Sequence, residues 1–403
     1  MVIREPRITD EGEWTRISAP VEFGSSRKPV TAWFEIRRQD GIALSDRADA
    51  FLASLLPMAM RLGEDVEVEG TVSPRLLENT GEYQRLLCGW FPEYRTVEVR
   101  CRRVVSPPAP RDAVMSAFSG GVDSCYTLAT SLPGAVADPK DAVTHALFVH
   151  GFDIPLAERE SYDRMAERYS AMLDGLGVRL VEIRTNVKEI ITAHRVLWDQ
   201  AYGPPLIAAA LALDAPFRRF LVPSSCAEGY WSPCGSIPET DPLFSTEATE
   251  VIHHSYDKQR DDKLASVAEW EPAFDNLRVC WERPSGGKLN CGRCEKCLRT
   301  MMGLDFQGAL GKFTALPTEY PRHALRNNLY LHPHFRKRLR ATREKALRAG
   351  KTELAADISH ALLMSWAPAH VAEFFRRRAW GRTLMSSQAM SELYFWLGKK
   401  LRG

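Results

Sequence analysis

The chain has 403 residues, 45% of them hydrophobic, enough to bury two or three domain cores. Its net charge of +2 hides an uneven balance: residues 322–403 carry 17 Lys or Arg against five Asp or Glu, a local +12 that leaves −10 on the rest. The apolar run at residues 206–213 falls far short of the ~20 residues a membrane span needs, and Met-Val-Ile-Arg-Glu-Pro-Arg at the start is no signal-peptide core. Membrane and secretory classes are thereby set aside.

Residues 1–107 are expected to form an α+β domain. Strands are predicted at 29–37, 66–71 and 96–105 from their alternation, and helices at 47–57, after Ser45-Asp46 as a cap, and 74–89. Ser106-Pro107-Pro108-Ala109-Pro110 reads as a stiff linker. Residues 108–312 then alternate, with strands at 113–118, 144–150, 178–184 and 218–223 and helices near 123–131, 157–175, 187–199 and 204–214. Such alternation implies α/β architecture with a parallel sheet and right-handed crossovers. Ligands of such sheets sit at the carboxyl ends of strands, where Ser119, His150, Thr185 and Ser224 fall. Residues 313–403 read as a basic helical domain, with Arg336–Arg343 on one helix and Arg376–Arg378 on another. Trp366, Phe374, Phe375, Trp380, Tyr394, Phe395 and Trp396 are its candidate core or interface aromatics.

Ser119-Gly120-Gly121-Val122-Asp123-Ser124 lies between an apolar strand and the first turns of a helix. Paired glycines let the backbone turn its N–H groups onto phosphate oxygens, and the helix N-terminus adds partial positive charge. Ser119 and Ser124 offer hydroxyl donors, and Asp123 can hold magnesium against a pyrophosphate. The competing reading is a polar turn with Asp123 as a plain helix cap. Ser285-Gly286-Gly287-Lys288 looks alike but follows no strand, and reads as a loop.

Cys280, Cys291, Cys294 and Cys297 form two overlapping C-x-x-C knuckles with an earlier fourth thiol. Four thiolates complete a tetrahedral Zn2+ shell, and the surrounding Arg278, Arg283, Lys288, Arg293, Lys296 and Arg299 offset its negative charge. An iron–sulfur cluster, a redox pair and buried thiols compete with that reading. Cys88, Cys101, Cys125, Cys226 and Cys234 have no framework spacing, so a reducing, cytoplasmic setting is expected. Cys226 and Cys234 could serve as a catalytic thiol pair, against a reading as small buried residues. His253-His254 finds no third ligand and reads as surface.

The Ser-Gly-Gly-Val-Asp-Ser loop resembles the signature of the PP-loop ATP pyrophosphatases, and with the downstream cysteines the chain resembles 7-cyano-7-deazaguanine synthases. The resemblance covers roughly residues 112–312 and includes His150-Gly151-Phe152-Asp153, the loop Ser236–Phe244 with Asp241, Arg260-Asp261-Asp262-Lys263 and Val279-Cys280-Trp281. It implies a Rossmann-like doubly wound sheet (adenine nucleotide alpha hydrolase-like), ATP and Mg2+ as cofactors, and cleavage between the α and β phosphates. It further implies that Val149 and His150 meet adenine and that Lys263, or its rival Arg260, neutralises the pyrophosphate.

An ATP-dependent ligase follows as the expectation: a carboxylate, deazaguanine-like or related, is adenylated and then attacked by ammonia or an amine to give an amide or nitrile. Asp123, Ser124 and Lys263 are its candidate catalytic residues. The added flanks make the chain more like the larger relatives found in antiphage systems and biosynthetic clusters. The alternatives are a tRNA-thiolating enzyme and a non-catalytic nucleotide-binding subunit of a larger assembly. The basic C-terminal region is a candidate dock for a protein partner or nucleic acid, and a homodimer without membrane association is expected.

Overall fold

The computed structural model describes residues 1–24, 27–38, 41–214, 217–228, 233–282, 287–330 and 333–366. Arg376–Arg378 and the aromatics from Phe374 onward lie outside the described residues, as do Ser285 and Gly286 of the second glycine pair. The chain divides into two compact units, residues 1–263 and 264–403.

The first unit is α/β, built on a large, mostly parallel sheet. Its strands are β1 (Val2–Ile3), β2 (Arg7–Glu11), β3 (Trp14–Glu22), β4 (Val30–Arg37), β5 (Val66–Val72), β6 (Val99–Val104), β7 (Arg111–Ala117), β8 (Val143–His150), β9 (Arg179–Thr185), β10 (Phe217–Pro223) and β11 (Glu250–His254). Helices are α1 (Asp49–Leu62), α2 (Pro74–Trp90), α3 (Val122–Thr130), α4 (Arg159–Asp174), α5 (Val187–Ala193), α6 (Trp198–Ala201), α7 (Gly203–Leu211) and α8 (Arg260–Ala268), the last running on past residue 263.

The sheet order is β11-β10-β7-β8-β9-β4-β3-β1-β5-β6, with β2 on β3. β7 to β11 pair only in parallel with one another, and β7 lies between β8 and β10. The sequence thus moves outward from β7 in one direction through β9, then returns to its other side. In parallel sheets, ligands bind beyond the carboxyl ends of the strands at such a reversal, here at the end of β7.

Residues before and after the Pro-rich linker share this sheet. β4 runs antiparallel to β9, with Phe34 opposite Thr185 and Ile36 opposite Ile183. One continuous core results, in which Phe34, Phe51, Ile183 and Ile207 are all fully or almost fully buried. Two further features differ from the sequence expectation. β3 was not foreseen, because Pro20 and its polar neighbours dilute the buried set Trp14, Ile17, Ala19 and Val21. The expected helix at 187–199 breaks after Ala193, since Arg195 takes a left-handed φ of 66° that no helix interior accepts.

The second unit contains α9 (Pro272–Asn276), α10 (Glu295–Phe306), α11 (Arg322–Asn327), α12 (Pro333–Arg348) and α13 (Thr352–Met364). Leu339, Ala346, Ile358 and Ala361 bury the apolar faces of α12 and α13 against Leu298 and Leu325. The run 336–343 is helical as expected, within α12. Trp366 is 61% exposed and so is no core residue of the described part. No described helix is long and apolar enough to cross a membrane.

Candidate functional site

The glycine loop joins β7 to α3 at the reversal of strand order. Gly120 sits at φ +73°, and a Cβ there would fall 1.8 Å from Tyr169 Oη, so only glycine fits. The Tyr169 hydroxyl donates to the Ser119 carbonyl at 3.2 Å, fastening the loop to α4. Ser124 Oγ donates to the Gly121 carbonyl at 3.0 Å and accepts from Ser119 N–H at 3.3 Å, while Gly121 N–H reaches Ser119 Oγ at 3.4 Å. Both serines therefore shape the loop as well as offering hydroxyls to a ligand. Gly121 is the cap of α3 and supplies no side-chain acceptor to the N–H groups of its first turn. Those donors suit an anion.

Two cations reach this loop from far along the chain. Arg260 Nη1 lies 3.0 Å from Asp123 Oδ2, across 137 residues. Lys263 Nζ lies 3.8 Å from Asp123 Oδ1 and donates to the Ser224 carbonyl at 2.6 Å. The Lys263 side chain is almost completely buried, and desolvation lowers its pKa against the opposing pull of Asp123. Asp123 and its two cations together carry +1. A charged lysine kept this dry is costly unless an anion meets it.

Val149 and His150 end β8 beside the loop's strand, with Val149 opposite Ile183 of β9. The His150 ring is buried, stacks on Tyr162 at 4.3 Å and contacts the Pro155 carbonyl through Nε2 at 2.9 Å. Burial lowers its pKa, and Nδ1 has no hydrogen-bond partner among the described residues. Such a ring is held by packing and is poorly suited to act as an acid.

The reading of His253-His254 as surface is overturned. Both lie on β11, and the His253 side chain is only 2% exposed. His253 Nδ1 meets Asp241 Oδ2 at 2.7 Å and Nε2 meets Ser224 Oγ at 2.8 Å. Ser236 Oγ also donates to Asp241 Oδ2 at 2.6 Å. The loop holding Asp241 is thus tied to the end of β10, directly behind the carbonyl that accepts Lys263. His254 Nδ1 contacts Thr127 Oγ1 of α3 at 3.1 Å, and burial followed by repulsion from Lys263 pushes its pKa down to about 4. Spacing gave no sign of either role, because Asp241, Ser224 and Thr127 belong to three separate segments.

In the second unit, Cys280, Cys291, Cys294 and Cys297 bring all four sulfurs within 4.8 Å of one another. Cys291 and Cys297 are 3.9 Å apart, and Cys280 and Cys294 4.0 Å. A tetrahedron of sulfurs around Zn2+ at 2.3 Å has edges of about 3.8 Å, close to these two separations, so the group can hold one zinc ion. A multi-iron cluster, which inserts iron and sulfide between its thiolates, needs a wider cage. Backbone N–H groups of Glu282, Arg293, Cys294 and Cys297 point at the sulfurs at 3.3–3.5 Å, stabilising thiolate charge. Cys294 also caps α10.

Asn290 organises the approach to this centre and was not singled out by the sequence. Its Oδ1 accepts from Val279 and Cys280 N–H, and its Nδ2 donates to the Leu277 and Ala315 carbonyls. Gly292, at φ +71°, takes a turn where a Cβ would strike Pro317 at 2.5 Å. The four-cysteine group can hold a zinc ion.

No family model, curated protein or solved structure matches this chain.

Proposed function

We propose that the chain is an ATP-dependent, AMP- and pyrophosphate-forming carbon–nitrogen ligase on a Rossmann-like PP-loop scaffold. The observation that carries this reading is the meeting of Asp123, Arg260 and Lys263 at the glycine loop. Phosphate groups would lie against the N–H groups of Gly121 and the first turn of α3. Arg260 and Lys263 would hold the β and γ phosphates as charge builds on the departing pyrophosphate. Asp123 would hold Mg2+, which supplies charge neutralisation on the phosphate oxygens. Binding of ATP would then release Asp123 from Arg260, since the phosphates offer the guanidinium a stronger bidentate partner.

The residues at the loop include no free general base, so activation would come from alignment and charge. A carboxylate oxygen attacks the α phosphorus, pyrophosphate leaves, and ammonia or an amine displaces AMP to give an amide. A second activation of that amide would give a nitrile. The thiol pair Cys226 and Cys234, with sulfurs 3.8 Å apart, favours a second reading, thiolation of a base in tRNA.

The test is nucleotide analysis after incubation with Mg2+, ATP, ammonium and 7-carboxy-7-deazaguanine. AMP and pyrophosphate are expected from the wild type and not from Asp123→Ala. ADP and phosphate as products would overturn the reading. AMP formed only with tRNA and a sulfur donor would transfer it to the thiolation alternative.

A further inference from the structure

Cys226 follows β10 and Cys234 precedes the Asp241 loop, and both are half-buried. Each is fixed from behind. Cys226 N–H reaches Ser224 Oγ at 3.3 Å and the Cys226 carbonyl lies 2.9 Å from the same hydroxyl, which His253 holds in turn. On the other side, Gly203 N–H donates to the Gly235 carbonyl and Gly235 N–H to the Asp199 carbonyl, both at 2.8 Å. A Cβ on Gly235 would sit 2.4 Å from Tyr202 N, and one on Gly203 2.3 Å from Gly235 O. The backbone beside Cys234 is therefore closely packed against Tyr202.

We infer that Cys226 and Cys234 form a peroxide-reactive dithiol, a reversible oxidation site in which Cys234 is oxidised first and Cys226 resolves it. The Cys226 sulfur and the Tyr202 hydroxyl oxygen both lie 3.8 Å from the Cys234 sulfur, which also reaches the Ser236 carbonyl at 3.4 Å. The contact with Cys226 pulls the Cys234 pKa down to about 6 and pushes that of Cys226 up, which favours the thiolate at Cys234. The sulfurs have about 1.8 Å to close to reach the ~2.05 Å of a disulfide.

The chemistry balances with hydrogen peroxide as the oxidant. The Cys234 thiolate attacks one peroxide oxygen, the O–O bond breaks, and hydroxide leaves and takes the Cys226 proton as water. The Cys226 thiolate then attacks the Cys234 sulfenic acid, the S–O bond breaks, and hydroxide leaves as the S–S bond forms. Two electrons pass from the dithiol to peroxide, and a cellular thiol returns them. The other unassigned cysteines are poor competitors: burial raises Cys125 strongly, Cys101 to about 11, and Cys88 as well. Cys226 lies two residues from Ser224, whose carbonyl accepts from Lys263.

The experiment exposes the reduced, zinc-loaded full chain to equimolar hydrogen peroxide, quenches with catalase and maps cysteine states by peptide mass. The 226–234 disulfide is expected first, at least about tenfold faster than any change at Cys88 or Cys101, and dithiothreitol should reverse it. Cys226→Ser should stop at a Cys234 sulfenic acid that dimedone traps, and Cys234→Ser should leave Cys226 reduced. Oxidation of Cys88 or Cys101 at the same rate would overturn the inference. So would failure of dimedone to label Cys234 in Cys226→Ser above its level in the urea-unfolded chain.

Discussion

Replacing Gly120 with alanine tests the glycine loop without reference to any ligand. The cost has two parts. Alanine at φ +73° pays roughly 1–2 kcal/mol for the left-handed conformation. The new methyl also falls 1.8 Å from Tyr169 Oη and 2.4 Å from Cζ, so the ring must move. Its movement breaks the bond to the Ser119 carbonyl, worth about 1 kcal/mol. It also disturbs the edge contacts with Phe118 and Phe148, at 5.1 and 5.2 Å, for about another 1 kcal/mol. The expected loss is roughly 3–4 kcal/mol by equilibrium urea unfolding followed through tryptophan fluorescence. In a Tyr169→Leu background the ring is gone, and only the backbone cost of roughly 1–2 kcal/mol should remain. Equal costs in the two backgrounds would refute the account, because they would show that no methyl–ring collision occurs.

Chelation of zinc, or Cys297→Ser, should remove about one equivalent of metal by plasma emission and render the 264–330 region sensitive to protease, since structural zinc contributes about 10–16 kcal/mol; full protease resistance of metal-free protein would contradict a bracing role. His254, whose folded pKa of about 4 lies below its unfolded 6.5, should cost stability as pH falls from 6.5 to 4. The unfolded chain binds the extra proton there, so stability rises with pH in that window. His254→Gln should lose less between pH 7 and 4.5 in urea titrations, and parallel losses in both proteins would count against the buried neutral ring. Lys263→Met should lower AMP formation by about 100-fold or more while leaving unfolding stability equal or higher, and a destabilised variant with full turnover would reverse the assignment. Because burial lowers the Lys263 pKa, the wild type should also gain stability relative to Lys263→Met as pH rises toward 10.5.

The alternating strands and helices of residues 111–223 were legible because each buried strand is a short apolar run and each helix carries its own periodicity. The four-cysteine group that can hold zinc was legible because local spacing alone sets a knuckle: Cys291, Cys294 and Cys297 converge within two turns of chain. Three other features depend on distant partners. β3 pairs with β4 through backbone groups that any sequence owns. The union of β4 with β9 joins residues about 150 apart through three paired positions, and no motif marks it. His253 looked like surface because its burial comes from Asp241 and Ser224, on loops whose approach periodicity does not encode.

The unforeseen β11 also explains how two cations arrive at a loop so remote in sequence. β10 lies beside β7, with Leu221 opposite Ser116, and β11 lies beside β10, with His254 opposite Pro223. All three strands run parallel, so their carboxyl ends stand in one row at the reversal of strand order. α8 begins six residues after β11 ends, and Arg260 in its first turn meets Asp123 at that row. His253 then locks β11 to the Ser224 end of β10, and the Ser224 carbonyl takes Lys263. A change at Asp241 should therefore act on Lys263 through His253 and Ser224, displacing an ammonium group it never touches. The position of that ammonium is set by the pairing of β10 with β11, and the four residues of α8 that look like a motif are effective only because β11 precedes them.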